Sequence, residues 1–193
     1  MKRATPRPPD DTPSHLALLR GINVGGRNLV KMADLRAAFE KMGFADVRTY
    51  IQSGNVLFRA PRQRREEMAA RIEAELTRSI GIELKVVLLT KAQLKAVVEG
   101  APRGFGGPSH LCDVVFVRKP LTARKAFGLI ETRDGVDRAW RGRGVFYFSR
   151  VAAKATRSRL SKVASLPEYK NMTLRSWSTT TKLLAAMEAS GDG

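Results

Sequence analysis

The chain has 193 residues, 43% of them hydrophobic, and carries 35 Lys and Arg against 18 Asp and Glu, a net charge of +17. That hydrophobic share excludes a disordered polyelectrolyte, and the length is enough for one large domain or two small ones with a real core. No apolar run approaches the ~20 residues of a membrane span, so no membrane partner is expected, and the single cysteine, Cys112, rules out an internal disulfide and suits a reducing cytoplasm.

Residues 1–14 hold four prolines and no apolar stretch, which reads as a flexible tail and not as a secretory leader. A first subdomain is expected over 15–100. The run His15-Leu16-Ala17-Leu18-Leu19 is a strand; after a loop comes a helix with Leu35, Ala38, Phe39 and Met42 on one face and Gly43 as its stop. Residues 47–51 and 55–58 form two strands across Gln52-Ser53-Gly54. Residues 63–80 form a helix with Met68, Ile72, Leu76 and Ile80 at a spacing of four, and 82–89 a fourth strand. Thr90 and Gln93 are a capping pair opening a helix over 91–99.

Residues 101–110 contain Pro102, Gly104, Gly106, Gly107 and Pro108, the densest run of chain breakers, and are expected to be the junction to a second subdomain over 111–193. There, 111–117 reads as a strand with Cys112 as a small strand residue, and Thr122 caps a helix carrying Ala126, Phe127 and Ile130. Residues 136–140 and 145–148 form a hairpin across 141–144, a helix near 158–166 stops at Pro167, and a short segment leads to a last helix over about 177–189. The fold class is therefore α+β, with two similar ferredoxin-like (β-α-β-β-α-β) subdomains.

The sharpest chemistry lies in two loops of the first subdomain. After Arg20 comes Gly21-Ile22-Asn23-Val24-Gly25-Gly26-Arg27-Asn28, where glycine and asparagine tolerate positive φ and let the backbone turn its amides inward ahead of a helix N-terminus. Free amides and the helix dipole there favour an anion, and Arg20, Arg27 and Lys31 add charge. The candidate ligand-binding residues are Arg20, Gly21, Asn23, Gly25, Gly26, Arg27 and Asn28, joined by Ser53, Gly54 and Asn55 from the neighbouring turn. The ligand expected is a phosphate-bearing small molecule resembling a nucleotide. The loop is neither a dinucleotide fingerprint nor a Walker loop, and a purely structural turn fits it as well.

The charge is uneven: residues 119–182 hold 15 Lys and Arg against 4 Asp and Glu. A nucleic-acid-binding module is the alternative function, with solvated arginine-rich surface as its bland counterpart. Arg143-Gly144-Val145-Phe146-Tyr147-Phe148 echoes the basic-aromatic strand on which RNA-recognition domains stack bases, although core packing of Phe146 and Phe148 is the commoner outcome. His15 and His110 lie outside any metal-ligand spacing, and no nucleophile elbow or catalytic triad is present, so neither a metal nor a cofactor is predicted. A structural or partner-binding protein without a ligand is the third reading.

The strings Leu19-Arg20-Gly21-Ile22-Asn23-Val24-Gly25-Gly26 and Tyr50-Ile51-Gln52-Ser53-Gly54-Asn55, with Met32, Leu35 and Gly43-Phe44, resemble the domain-of-unknown-function family 1697 (DUF1697) over nearly the whole chain after the tail. The resemblance implies a small cytoplasmic bacterial protein with two ferredoxin-like halves and no established activity. It also implies secondary site positions at Ser158 (in Ser158-Arg159-Leu160), at Thr173, Arg175 and Trp177, and at Lys182 (in Lys182-Leu183-Leu184). Ser176 stands where such proteins tend to have asparagine.

Overall fold

The computed structural model describes residues 12–23 and 28–189. The chain divides between Lys91 and Ala92 into two compact units. In the first, the order is β1 (Ser14–Arg20), α1 (Met32–Lys41), β2 (Ala45–Tyr50), β3 (Asn55–Arg59), α2 (Arg65–Ile80) and β4 (Lys85–Thr90). All strand pairs are antiparallel and the sheet order is β2-β3-β1-β4. The continuous apolar run of β1 suits its central place: Leu16, Ala17, Leu18 and Leu19 are all buried, between β3 and β4.

Alternate strand positions Ala17, Leu19, Val56, Phe58, Val86 and Leu88 meet Leu35, Ala38 and Phe39 of α1 and Met68, Ile72 and Leu76 of α2 in one core. Phe39, Phe44 and Phe58 form its aromatic centre, with ring centroids 4.6 to 5.8 Å apart. Burying each contributes about 2 kcal/mol or more. The expected spacing-of-four helix is thus present, and α2 ends at Gly81, whose N–H donates to Thr77 O.

The second unit contains α3 (Lys91–Glu99, from Ala92 on), β5 (His110–Val117), α4 (Ala123–Gly128), β6 (Asp137–Arg141), β7 (Val145–Val151), α5 (Leu160–Val163), β8 (Met172–Ser176) and α6 (Trp177–Glu188). Its sheet, also antiparallel, has the order β6-β7-β5-β8. Phe146 and Phe148 pack with Val115, Ala126 and Val163, whereas Tyr147 points to the opposite face and donates its hydroxyl to Val97 O at 2.6 Å. All three rings are buried, so the basic-aromatic strand is core and offers no open stacking platform. Thr122 caps α4 by accepting from Lys125 N–H, as its sequence position predicts.

Two features differ from the sequence reading. The short segment before the last helix is a full edge strand, β8. The helix near 158–166 contracts to the four residues of α5, preceded by a 3-10 turn over Ala152–Arg157. From Ala92 on, α3 groups with the second unit, and the Val97 carbonyl accepts the Tyr147 hydroxyl there.

Candidate functional site

Residues 21–23 and 28–30 of the first loop and the turn 50–55 lie at one end of the first sheet and are stitched together by asparagines. Asn23, at φ 53, uses its whole carboxamide: Nδ2 donates to Val30 O (3.1 Å) and Gln52 O (2.9 Å), while Oδ1 accepts from Val30 N–H (2.8 Å). Asn23 N–H donates to Asn28 O at 3.1 Å, and Asn28 Nδ2 returns to Gly21 O at 2.8 Å, which closes the base of the loop. Asn55 is fully buried, and its Nδ2 donates to Tyr50 O and Ser53 Oγ, both at 2.9 Å.

Gly54 sits at φ +70, and a Cβ there would stand 2.9 Å from both Leu19 Cβ and Ile22 Cδ1, so only glycine fits. Its carbonyl accepts from Leu19 N–H at 2.8 Å. Arg20 is the half-buried last residue of β1, opposite Lys85. The structure brings Arg20, Gly21, Asn23, Asn28, Ser53, Gly54 and Asn55 into one assembly, in which the three carboxamides hold backbone. Gly25, Gly26 and Arg27 lie outside the described residues.

Two residues of this assembly escaped sequence reasoning. Leu29 and Ile51, at 75% and 51% exposure, are two of the three large apolar side chains most open to solvent among the described residues. Each adjoins a residue that Asn23 bonds. Ile51 is also held at φ 49, where a β-branched side chain is strained by about 1–3 kcal/mol. Beside them α1 starts at Met32 with exposed Lys31 as its N-cap residue, which makes no side-chain cap.

The secondary positions lie in the second unit and do not form one group. Thr173 and Arg175 of β8 are both buried; Arg175 Nη1 donates to Thr173 Oγ1 at 2.9 Å and to Leu174 O at 2.8 Å. Burial lowers the Arg175 pKa to about 10, against a smaller opposing effect of Tyr169, so the guanidinium stays charged at neutral pH. Arg175 pairs with Val114 and Val114 with Tyr147, which puts Arg175 on the Tyr147 face. Ser158 belongs instead to the segment that packs through Leu160 and Val163 on the Phe146 face, and its Oγ accepts from Leu160 N–H at 3.1 Å.

Trp177 opens α6 and packs edge-on against Phe105, with centroids 5.2 Å apart. Gly106 faces the same ring so closely that a Cβ would meet Trp177 Cδ1 at 2.2 Å. Ser176 is the α6 N-cap, its Oγ accepting from Thr179 N–H, so a hydroxyl fills the capping role that asparagine also performs. Lys182 is exposed on α6.

The unanticipated polar group in this unit is Asp137, 7% exposed. Its Oδ2 accepts from Arg133 N–H (3.0 Å) and Arg159 N–H (2.9 Å), drawing two loops onto the start of β6. No group of three or more His, Cys, Asp or Glu fit to hold a metal occurs among the described residues. No helix there is long and apolar enough to cross a membrane.

The fold has a solved counterpart. The conserved bacterial protein SP0830 from Streptococcus pneumoniae superposes with a TM-score of 0.78 at 23% identity, covering 91% of this chain and 99% of its own, a likeness that speaks to fold alone. No curated protein matches the chain. The family described as "Protein of unknown function (DUF1697)" matches residues 13–147, the span holding the asparagine-stitched loops and most of the second sheet, and the chain belongs to that family.

Proposed function

We propose that the protein binds a phosphate-bearing small ligand at loop 21–28, with the non-polar part of the ligand lying over Leu29 and Ile51. The observation that carries this reading is the coincidence of bracing and exposure. Asn23 ties the loop to the turn through one hydrogen bond, to Gln52 O, and closes the loop on itself through two to Val30, and the neighbouring apolar side chains stand in solvent, one of them strained. A structure that only needed a turn gains nothing from an exposed β-branched residue at positive φ.

Because the carboxamides are committed to the backbone, recognition of the anion falls to main-chain amides, to the α1 N-terminus and to Arg20, Arg27 and Lys31. A braced loop loses little entropy on binding. The strand order β2-β3-β1-β4, repeated as β6-β7-β5-β8, supports reading each half as ferredoxin-like.

The test is a thermal-shift screen of nucleotides and sugar phosphates. A ligand at about 100 times its dissociation constant adds about 2.7 kcal/mol of stability. The shift should shrink in Lys31→Ala and Arg27→Ala, and in Ile51→Gly, which relieves the backbone strain in the free protein. A screen without a shift ends the reading, and so does a shift that all three variants leave intact.

A further inference from the structure

The second sheet has a basic end. There β5 finishes at Val117, β6 finishes at Arg141, β7 starts at Val145 and β8 starts at Met172. Backbone bonds hold these ends together: Val117 N–H donates to Gly144 O (3.2 Å), Gly142 N–H to Val145 O (2.9 Å) and Arg118 N–H to Asn171 O (3.0 Å). Three connecting segments thus meet along one edge. They carry Arg118, Lys119, Arg141, Arg143 and Lys170, with Glu168 as the one acidic residue among them. Lys119, Arg141, Arg143 and Lys170 are exposed. The ion pairs Arg150–Asp113 and Lys162–Glu131 place their carboxylates away from this end.

We propose that this end of the sheet binds the phosphodiester backbone of a nucleic acid without reading its sequence. Neighbouring strands lie about 4.8 Å apart, so four strand ends span about 14 Å. That length matches roughly four phosphates along one strand of a duplex, at about 3.4 Å each. The aromatic residues of β7 are buried, so base stacking adds nothing and the contact is ionic. Among the described residues of this unit the exposed large apolar residue is Leu111, near the start of β5 and so at the other end of the sheet. A lipid surface, which also takes up apolar side chains, is the poorer fit. The proposal concerns different residues from the loop site and stands without it.

The experiment is fluorescence anisotropy of the full chain with a fluorescein-labelled DNA duplex, from about 50 to about 200 mM salt. Four phosphate contacts give a log–log salt slope of about −3.6. The variant Arg141→Ala/Arg143→Ala/Lys170→Ala should flatten the slope by about 3 and weaken binding roughly tenfold near physiological salt. Replacing Arg141 and Arg143 by Lys should keep affinity within a few-fold.

The comparison variant Arg138→Ala/Lys154→Ala/Arg157→Ala alters exposed positions nearer the opposite end of the sheet and removes the same charge. It should leave the slope unchanged. Should the triple variant at the basic end not fold, Arg143→Ala alone, on the exposed turn, is expected to flatten the slope by about 1. Equal losses in the two triple variants would reduce the effect to overall charge and overturn the proposal. It is also overturned by an unaltered slope in the first variant, by no binding at low salt, or by binding to phosphatidylserine vesicles in place of the duplex.

Discussion

The two sheets share a strand order but differ in what they bury. Among the described residues, the first unit buries one polar side chain, Asn55, whereas the second buries Asp137, Ser149, Thr173, Arg175 and Thr180. Asn55 is neutral and serves one turn, donating to Tyr50 O and Ser53 Oγ. Asp137 is charged and reaches across 22 residues to Arg159, as well as 4 residues back to Arg133. One architecture thus carries two patterns of buried polar side chain: an amide serving its own turn in the first unit and, in the second, a carboxylate that joins main-chain N–H groups of two loops.

The widest gap between the units should appear on removing these groups. Asp137→Ala leaves two backbone N–H donors without their charged acceptor and is expected to cost about 3 kcal/mol in chemical denaturation. Asp137→Asn, which keeps an acceptor, should cost less. Asn55→Ala should cost about 1–2 kcal/mol, the worth of neutral hydrogen bonds at a buried site. Equal costs for the two alanine variants would erase the distinction.

The smallest effect should be a pH dependence belonging to the first unit. Burial lowers the pKa of His15, with a weaker opposing influence from a backbone hydrogen bond to Ala60, and the ring stacks on Phe58. The unfolded chain then binds the proton more readily than the folded one, so stability falls as pH drops below about 6.5. His15→Gln should remove that dependence, which equilibrium unfolding near neutral pH and near pH 5 would reveal.

The first unit was legible almost throughout, because its helices repeat at three and four residues and its strands are short apolar runs with glycine or asparagine between them. β8 was missed because Thr173 and Arg175 look like a solvent-facing row, yet both are buried. Asp137 was missed because its partners are main-chain amides, which leave no trace in the order of side chains. In the loops, the positive φ of Asn23 and Asn28 was readable from residue type. What their carboxamides bond depends on how the chain folds back, and Gln52 is 29 positions from Asn23. Leu29 and Ile51 passed as ordinary apolar residues, since exposure is a tertiary property.

The bond from Asn23 to Gln52, together with the fit of Gly54 against Leu19 and Ile22, makes the loop and the turn one mechanical part. Grafting either string alone into another scaffold would tear out half a joint. Changes accepted at 22–23 should be matched by compensating ones at 52–54, so the pair is inherited, or engineered, as a single piece.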